Sequence, residues 1–321
     1  MRLSCGFPPS PDAPEYAALA ERLGYQRVWF YDSPALYGDV WVALARAADA
    51  TRHVGLGTAV LVPSLRHVVT TAAAIGTLEA QAPGRLVVAI GTGFTGRMVL
   101  GQKPLSWSFV EAYVRQLRAL LRGEEVEVEG RVCKLIHPEG FIAKRPIATP
   151  IVIAANGPKG AAVARRTGDG VMCAGVVPEG VRDAYYLAFG TALDPGETAA
   201  SPRVLEAIGG AISVIYHGTY EAAGAGVDNL PGGKAWREEI ERLPSASRHL
   251  HVHEGHCVAA NAIDRRHMNA GLAGVTFTGT PAELRARAAG LAAQGVGEIV
   301  YAPMGPDWPR ELRAMAAALK N

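Results

Sequence analysis

The segment Ile151-Val-Ile-Ala-Ala-Asn-Gly-Pro-Lys-Gly160 gives the clearest indication of the fold. An apolar run of strand type ends at Asn156-Gly157, and Pro158 opens a helical pattern that continues through Ala161–Arg165. Because proline is favoured at the first helical position, this order predicts a strand, a tight turn and a helix. Such a βα junction points unpaired backbone N–H groups and the positive end of a helix dipole at whatever lies above the sheet.

The same turn is a candidate phosphate-binding site because Lys159 adds a positive charge to it. Its residues are Asn156, Gly157, Pro158, Lys159 and Gly160. An ordinary βα turn with no ligand has the same sequence pattern, so this segment alone leaves both interpretations open.

Composition limits the classes of protein to consider. The chain has 321 residues, of which 49% are hydrophobic, and an α/β barrel of this length commonly forms one domain. The 32 basic and 30 acidic residues give a formal net charge of +2, and no basic run is present. We therefore expect no nucleic-acid partner.

The cysteines and the N-terminus predict the compartment. Cys5, Cys133, Cys173 and Cys257 lie far apart and form no CxxC pair, which is typical of free thiols in a reducing compartment. The sequence enters a strand-like pattern at once, and it lacks a run of about 18 apolar residues that could span a membrane. We expect a cytoplasmic protein that does not associate with membranes.

Short apolar runs alternate with amphipathic segments along the chain. Eight runs are candidate strands: Leu3–Phe7, Arg27–Tyr31, Val54–Val62, Arg85–Ile90, Ile151–Ala155, Gly170–Ala174, Ala211–Tyr216 and Glu298–Ala302. They are apolar on both faces, as in a parallel sheet covered by helices. The pattern predicts an α/β fold, a (β/α)8 TIM barrel with insertions after some strands, in which residues 1–321 form one domain.

Two regions depart from this pattern. Glu124–Leu135 alternates with period two around Gly130, which predicts a surface hairpin. Residues 218–274 are rich in Gly, Pro and His, and we expect an insertion there that forms a lid over the carboxyl ends of the strands. Thr280-Pro281-Ala-Glu283 then predicts the start of a helix.

Function in a TIM barrel lies at the carboxyl ends of the strands. The predicted ends hold few acids or bases: Phe7, Asp32, Ser33, Ala59, Val60, Gly91, Thr92, Gly93, Asn156, Gly157, Gly175, His217, Pro303 and Met304. No paired carboxylates and no serine nucleophile elbow are present. Small residues allow a large flat ligand to approach the backbone, which favours a cofactor that carries its own chemistry.

The histidine-rich segment Arg248–Cys257 has two interpretations. His249, His251 and His253 alternate, so in a strand they would share one face. The run from His253 to His256 is one residue short of a zinc-binding H-E-x-x-H helix, and Gly255 weakens a helix there, so we expect no metal site.

We consider His249 and His253 as candidates for hydrogen bonding or proton transfer from the lid; a purely structural role is the alternative. Asp32 is the third catalytic candidate, although a helix-capping or turn role fits it equally well.

Several segments together resemble the luciferase-like monooxygenase superfamily. They are Gly24–Asp32, Asp39–Leu44, His53–Val60, Arg66-His67, Gly84–Gly93 and Ala155–Lys159. The similarity covers Met1–Ala174 and returns at Phe277–Gly305. The nearest branch resembles methylenetetrahydromethanopterin reductase and other enzymes of the deazaflavin coenzyme F420, a likeness that Val110–Glu129 shares.

The resemblance implies a (β/α)8 barrel that binds FMN or F420 at the carboxyl ends of its strands. It also implies a non-prolyl cis peptide at Ala59-Val60, behind the cofactor ring. The cofactor-binding residues that we expect are Ala59, Val60, Gly91, Thr92, Gly93, Asn156, Gly157, Pro158, Lys159, Gly160 and Gly175.

Two positions differ from this branch. Many F420-dependent relatives have Asp-His where this chain has Asp32-Ser33, and some have a glutamate where it has Phe94. A sugar-phosphate dehydrogenase mechanism is therefore in doubt. His217, His249 or His253 could supply the missing acid or base.

The leading functional prediction is an oxidoreductase that moves a hydride between F420 and a small organic substrate. FMN is the alternative cofactor, in a two-component FMNH2-dependent monooxygenase, and a third alternative is a cofactor-binding relative without turnover. The expected partners are a small-molecule substrate, a separate flavin or F420 reductase, and a second copy in a homodimer.

Overall fold

The computed structural model describes residues 1–320, and a parallel β-barrel is its framework. Within that range the strands are β1 Arg2–Phe7, β2 Arg27–Phe30, β3 Gly55–Leu61, β4 Leu86–Ile90, β5 Val126–Val128, β6 Arg131–Cys133, β7 Ile151–Ala154, β8 Gly170–Ala174, β9 Ala184–Phe189 and β10 Val296–Ala302. All except β5 and β6 close into a barrel in the order β1-β2-β3-β4-β7-β8-β9-β10, and every pair in it is parallel. The predicted TIM barrel is confirmed.

Helices surround this barrel. They are α1 Ala13–Arg22, α2 Val40–Ala50, α3 Val68–Gln81, α4 Phe94–Met98, α5 Trp107–Arg122, α6 Pro158–Thr167, α7 Pro202–Ala223, α8 Gly233–Glu241, α9 Arg248–Val252, α10 Ala262–His267, α11 Pro281–Ala293 and α12 Trp308–Leu319. Short 3₁₀ helices cover Pro63–Leu65, Gly224–Asn229 and Ala270–Val275. None of the helices within residues 1–320 combines the length and apolar character needed to cross a membrane.

The helix starts follow the local chemistry of the sequence. Gly157 caps α6, and Pro158 occupies the first turn as predicted. At α11, whose start was predicted, Thr280 and Glu283 form a capping box, in which each side chain accepts a hydrogen bond from the other residue's backbone N–H. These exchanges satisfy N–H groups that the first turn leaves without intrahelical partners.

The interior of the barrel is filled rather than hollow. Trp29, Val87, Val152 and Met172 are among the buried side chains that pack inside it. The indole N–H of Trp29 donates to Oγ of Ser4 at 3.1 Å, so its one polar group is satisfied. Because these side chains fill the interior of the barrel, a ligand of the barrel would bind at the carboxyl ends of the strands.

The predicted hairpin is also confirmed. Strands β5 and β6 pair antiparallel, with Val128 opposite Arg131. The two residues between them, Glu129 and Gly130, have φ values of 52° and 74°, as a two-residue hairpin turn requires. All four cysteines of the chain are free thiols, in agreement with the prediction.

One predicted strand was wrong. Residues Ala211–Tyr216 lie inside the long helix α7, and the missing barrel strand is β9, which the sequence analysis did not identify. A short apolar run cannot be assigned to strand or buried helix by its pattern alone, and the preceding Gly209-Gly210 resembles a turn. His217 is therefore a helical residue rather than the end of a strand.

A helical insertion, residues 202–275, separates β9 from α11. It begins at Pro202, before the predicted start at residue 218, and runs from α7 to the 3₁₀ turn at Ala270–Val275. It has its own hydrophobic core, in which Ile212, Tyr216, Trp236 and Ile240 are fully buried. The barrel and this insertion meet where the strands end.

Candidate active site

A cavity of about 430 Å³ lies at the carboxyl ends of the barrel strands. Its walls come from the segments that end β2, β3, β4, β7, β8 and β9, and from α7 and the turn that follows α9. This is the face of a TIM barrel that carries function, and the volume is typical of a small-molecule or cofactor site.

An apolar wall formed by Val60, Gly91 and Ala154 lines one side of the cavity. A Cβ atom on Gly91 would lie 2.8 Å from Cγ2 of Val60 and 3.4 Å from Cβ of Ala154. The absence of a side chain at Gly91 thus allows the three residues to pack closely. The predicted non-prolyl cis peptide between Ala59 and Val60 is present in this wall.

The turn after β4 continues the wall. Thr92 and Gly93 line the cavity, and Gly93 has φ 78°, a left-handed conformation that favours glycine. A Cβ atom there would lie 2.5 Å from Cγ1 of Val62. This turn leads into α4, whose Thr95 also faces the cavity.

Asp32 lines the cavity, but its carboxylate is engaged in an ion pair. Both oxygens accept hydrogen bonds from Nη1 of Arg66, at 2.7 and 2.8 Å, and Oδ2 also accepts from the N–H of Val62 at 3.0 Å. Burial raises the pKa of Asp32, while the Arg66 charge opposes that shift. The residue that caps a helix here is Asp39, at the start of α2, and it binds Arg66 as well.

The βα turn after β7 has one residue that lines the cavity and three that lie on the surface outside it. Asn156 lines the cavity, and its Oδ1 accepts a hydrogen bond from the N–H of Ala174 at 2.9 Å. Gly157, Pro158 and Lys159 are exposed at the start of α6, outside the cavity lining.

The remaining glycines of the predicted cofactor set also lie outside the lining. Gly160 is buried, and a Cβ atom there would lie 2.5 Å from the ring of Trp107, which does line the cavity. Gly175 is exposed with φ 76°. Of the predicted cofactor residues, the cavity brings together Ala59, Val60, Gly91, Thr92, Gly93 and Asn156.

The histidine-rich segment is not a strand, so His249, His251 and His253 do not share the face that a strand would give them. It forms α9, with His253 at its C-terminal cap. The ring of His249 lies near Gly101 and is not part of the cavity lining. His253 is fully buried and does not line the cavity either. His256 is the histidine of this segment that lines the cavity.

A chain of hydrogen bonds connects the cavity to the interior of the helical insertion. Oγ1 of Thr95 lies 3.1 Å from Nε2 of His256, whose Nδ1 lies 2.9 Å from Nδ1 of His217. Nε2 of His217 then lies 3.2 Å from both oxygens of Asp264, which also accepts from the indole N–H of Trp236 at 2.7 Å.

Burial determines the charge state at the cavity end of this chain. Desolvation, followed by the two neighbouring imidazoles, lowers the pKa of His256 well below its usual value, so this ring is neutral. Burial is the largest single effect on Asp264 and acts to raise its pKa, but the interactions of the carboxylate with His217, Trp236 and Ser213 together outweigh burial, so the pKa is lowered.

His253 stands beside this chain without joining it. Among residues 1–320, neither of its ring nitrogens makes a hydrogen bond, and Nε2 lies 3.4 Å from Oε1 of Glu221 in an orientation that does not make one. An unsatisfied buried polar group costs about 1–3 kcal/mol.

His256 and Thr95 were not predicted as site residues from the sequence, because their proximity depends on how the insertion packs on the barrel.

The sequence profile of the luciferase-like monooxygenase family matches residues 7–298. The chain belongs to this family of enzymes, as its sequence motifs predicted. Two relatives with assigned functions show which members of the family this chain resembles.

An F420-dependent glucose-6-phosphate dehydrogenase of Intrasporangium calvum is 33% identical over 177 residues, covering 50% of this chain and 52% of the relative. A 5,10-methylenetetrahydromethanopterin reductase of Methanolobus tindarius is 31% identical over 163 residues, covering 49% of this chain and 48% of the relative. The chain thus spans about half the length of the curated relatives it matches.

A solved structure extends the similarity to the whole fold. The coenzyme F420-dependent tetrahydromethanopterin reductase from Methanopyrus kandleri superposes with a TM-score of 0.69 at 17% identity, covering 99% of both chains. At this level of identity the likeness concerns the fold.

Proposed function

We propose that this protein is an F420-dependent oxidoreductase that transfers a hydride between the coenzyme and a small organic substrate. The observation that carries the proposal is the apolar wall of Val60, Gly91 and Ala154 at the end of the barrel. Such a wall fits one face of a flat ring system, and the partial similarity to F420-dependent relatives favours the deazaflavin over FMN.

The residues present fit such a cofactor. The apolar wall would support the ring, while the backbone of Thr92-Gly93 and the side chain of Asn156 would border it. Lys159 and the first turn of α6 would bind the phosphate. When bound, the coenzyme supplies the hydride, and the protein supplies orientation and an environment with little water.

Thr95 is the residue that we assign to the reacting heteroatom of the substrate. Thr95 lines the cavity, and its hydroxyl is hydrogen-bonded to His256, which lines the cavity as well. If Nε2–H of His256 donates to Oγ1, the hydroxyl proton of Thr95 is free to point into the cavity. A donor in that position stabilises negative charge that develops on a substrate oxygen as the hydride arrives.

Asp32 has a different role in this proposal. Its oxygens already accept three hydrogen bonds from Arg66 and Val62, so it positions Arg66 and the end of β3 instead of exchanging protons with substrate. His249 and His253 are not among the residues that line the cavity, so neither is assigned a proton-transfer role there.

The cavity favours an uncharged substrate over a sugar phosphate. In the part of the chain that the structure describes, no lysine or arginine lines it. A phosphate dianion in the cavity would therefore have no cationic partner, which agrees with the sequence differences at Ser33 and Phe94.

We also propose that a separate reductase supplies reduced F420 and that the protein acts as a homodimer.

Parallel titrations of the purified protein with F420 and with FMN test the cofactor assignment. We expect saturable binding of F420, measured by its fluorescence, and much weaker binding of FMN. Binding of FMN in preference to F420 would overturn the assignment.

The proposed phosphate contact is tested with a charge reversal. Lys159→Glu should weaken F420 binding at least tenfold, because it replaces an attractive charge with a repulsive one. Lys144→Glu is the matched control, since Lys144 is an exposed lysine that precedes β7 and so lies toward the opposite end of the barrel. Equal dissociation constants for the two variants would remove Lys159 from the phosphate site.

A further inference from the structure

Three histidines meet inside the helical insertion, next to the cavity but separate from its cofactor wall. His217 comes from the middle of α7, while His253 and His256 come from the turn that follows α9. All three are buried, with at most 2% of any residue exposed. One nitrogen of each ring lies within 4.8 Å of one nitrogen of each of the others.

We propose that His217, His253 and His256 bind one first-row divalent transition metal ion, for which Zn²⁺ is the best match. Three imidazole nitrogens are a ligand set that proteins use for zinc, with a water molecule in the fourth position of the tetrahedron. This inference concerns a site other than the cofactor site and does not depend on the identity of the coenzyme.

The spacing of the rings suits such an ion. Ring centroids are 5.2 Å apart for His217 and His256, 5.3 Å for His253 and His256, and 5.7 Å for His217 and His253. Two nitrogens bound to one tetrahedral zinc are about 3.4 Å apart, given Zn–N bonds of about 2.0–2.1 Å. The 2.9 Å between the two Nδ1 atoms would open slightly, and His253 would approach them.

The outer contacts match those of metal-bound histidines. Such a histidine usually donates its second ring N–H to a carboxylate, which fixes the orientation of the ring. His217 has this partner in the buried Asp264, with 3.2 Å between Nε2 and each carboxylate oxygen. Asp264 is itself fixed by Trp236 and by the capping box of α10. Nδ1 of His217 is left to face the other two histidines.

His256 would have a matching arrangement. With Nδ1 bound to the metal, its Nε2–H points to Oγ1 of Thr95, 3.1 Å away. The ion would thereby fix the tautomer of His256 and the direction of its hydrogen bond to a residue of the cavity wall.

His253 distinguishes a metal site from a simple hydrogen-bond chain. The chain from Asp264 through His217 and His256 to Thr95 satisfies those four residues without an ion, but it leaves His253 out. Within residues 1–320, both nitrogens of His253 are buried and lack hydrogen bonds. A bound ion would use one of them.

The test measures metal content and binding in full-length protein made without a polyhistidine tag. After removal of metal with a chelator, the protein is equilibrated with Zn²⁺ or Co²⁺, and bound metal is quantified by mass spectrometry. We expect one ion per chain, a visible Co²⁺ spectrum of a nitrogen-ligated site, and a higher Tm with Zn²⁺. A wild-type protein that takes up no Zn²⁺ would overturn the proposal and leave the hydrogen-bond chain as the role of these residues.

Variants assign the ligands. His253→Ala and the larger His253→Gln should lose stoichiometric metal, whereas His251→Ala, an exposed histidine of the same segment, should retain it. Asp264→Asn should keep the site but weaken metal affinity about 10–100-fold. Circular dichroism verifies that each variant is folded. Metal binding by both His253 variants at the wild-type level would contradict the assignment.

Discussion

Gly91 shows how the absence of one side chain shapes the cavity. Any larger residue there would collide with Val60, whose Cγ2 would lie 2.8 Å from the added Cβ. Val60 is part of the wall that we assign to the cofactor, so its displacement changes the shape of the binding surface.

We therefore predict that Gly91→Ala weakens F420 binding about tenfold or more, because overpacking costs about 1–3 kcal/mol and 1.4 kcal/mol corresponds to tenfold in affinity. Gly218→Ala is the control: Gly218 also lines the cavity, but an added Cβ there meets nothing within 4 Å. Fluorescence titration measures both variants. A Gly91→Ala protein with wild-type affinity would show that the coenzyme does not contact this wall.

Thr95 gives the second prediction at the residue scale. Thr95→Val removes the hydroxyl but keeps the shape, so it should lower kcat by about 10²-fold, the effect of removing one donor from an oxyanion site. F420 affinity should not change, and Thr95→Ser should restore most of the rate. If Thr95→Val changed KM alone, the hydroxyl would serve substrate binding rather than the reacting atom.

At the scale of elements, the start of the helical insertion is fixed by an ion pair. Glu197, in the loop before α7, accepts hydrogen bonds from Arg203 in the first turn of that helix, one of them at 2.7 Å from Nε. The Arg203 hydrogen bond lowers the pKa of Glu197 from 4.5 to about 2. A carboxyl group whose pKa is depressed by folding stabilises the folded state above its unfolded pKa and loses that contribution as pH falls.

Glu197→Gln should accordingly destabilise the protein by at most about 1 kcal/mol, since partly exposed ion pairs contribute little more. The difference in unfolding free energy from wild type should be full above pH 4.5 and should vanish as pH approaches 2. Urea unfolding at several pH values measures it, with Glu179→Gln as a control at an exposed glutamate. A difference that persists at the lowest pH would exclude the ion pair as its cause.

The elements also show what sequence could predict. Strands such as β4 and β8 were found because they are short apolar runs closed by turn residues, and α11 because its capping box is local. The assignment failed in α7, where Ala211–Tyr216 is an almost continuous apolar run and so has no amphipathic period. As a result, the seventh barrel strand was predicted within the helical insertion, whereas the structure has it at β9.

The residues of the site also divide into those that the sequence could predict and those that it could not. Ala59, Val60, Gly91 and Asn156 could be placed in the cavity because a barrel dictates where strand ends meet. His256 could not, since its place depends on contacts between the insertion and the barrel that are distant in sequence. The cluster of His217, His253 and His256 depends on the same distant contacts, and the spacing within Arg248–Cys257 could not predict that His217 joins it.

At the scale of the whole molecule, the barrel and the helical insertion contribute different parts of the site. The strands supply a closely packed wall, and the insertion covers it with α7 and the turn that carries His256. We therefore expect the barrel wall to bind the coenzyme and the insertion to contribute to the choice of substrate. We propose that F420, rather than reduced FMN with oxygen, is the redox partner of this cavity.

The most direct test of that claim is a comparison of two assays on the same panel of small alcohols, ketones, imines and activated alkenes. One assay follows the oxidation state of F420 in the absence of oxygen, and the other follows oxygen consumption with reduced FMN. We predict substrate-dependent oxidation or reduction of F420 without oxygen, and no substrate-dependent oxygen uptake with reduced FMN. Substrate-dependent oxygen consumption with reduced FMN, together with no reaction of F420, would contradict it.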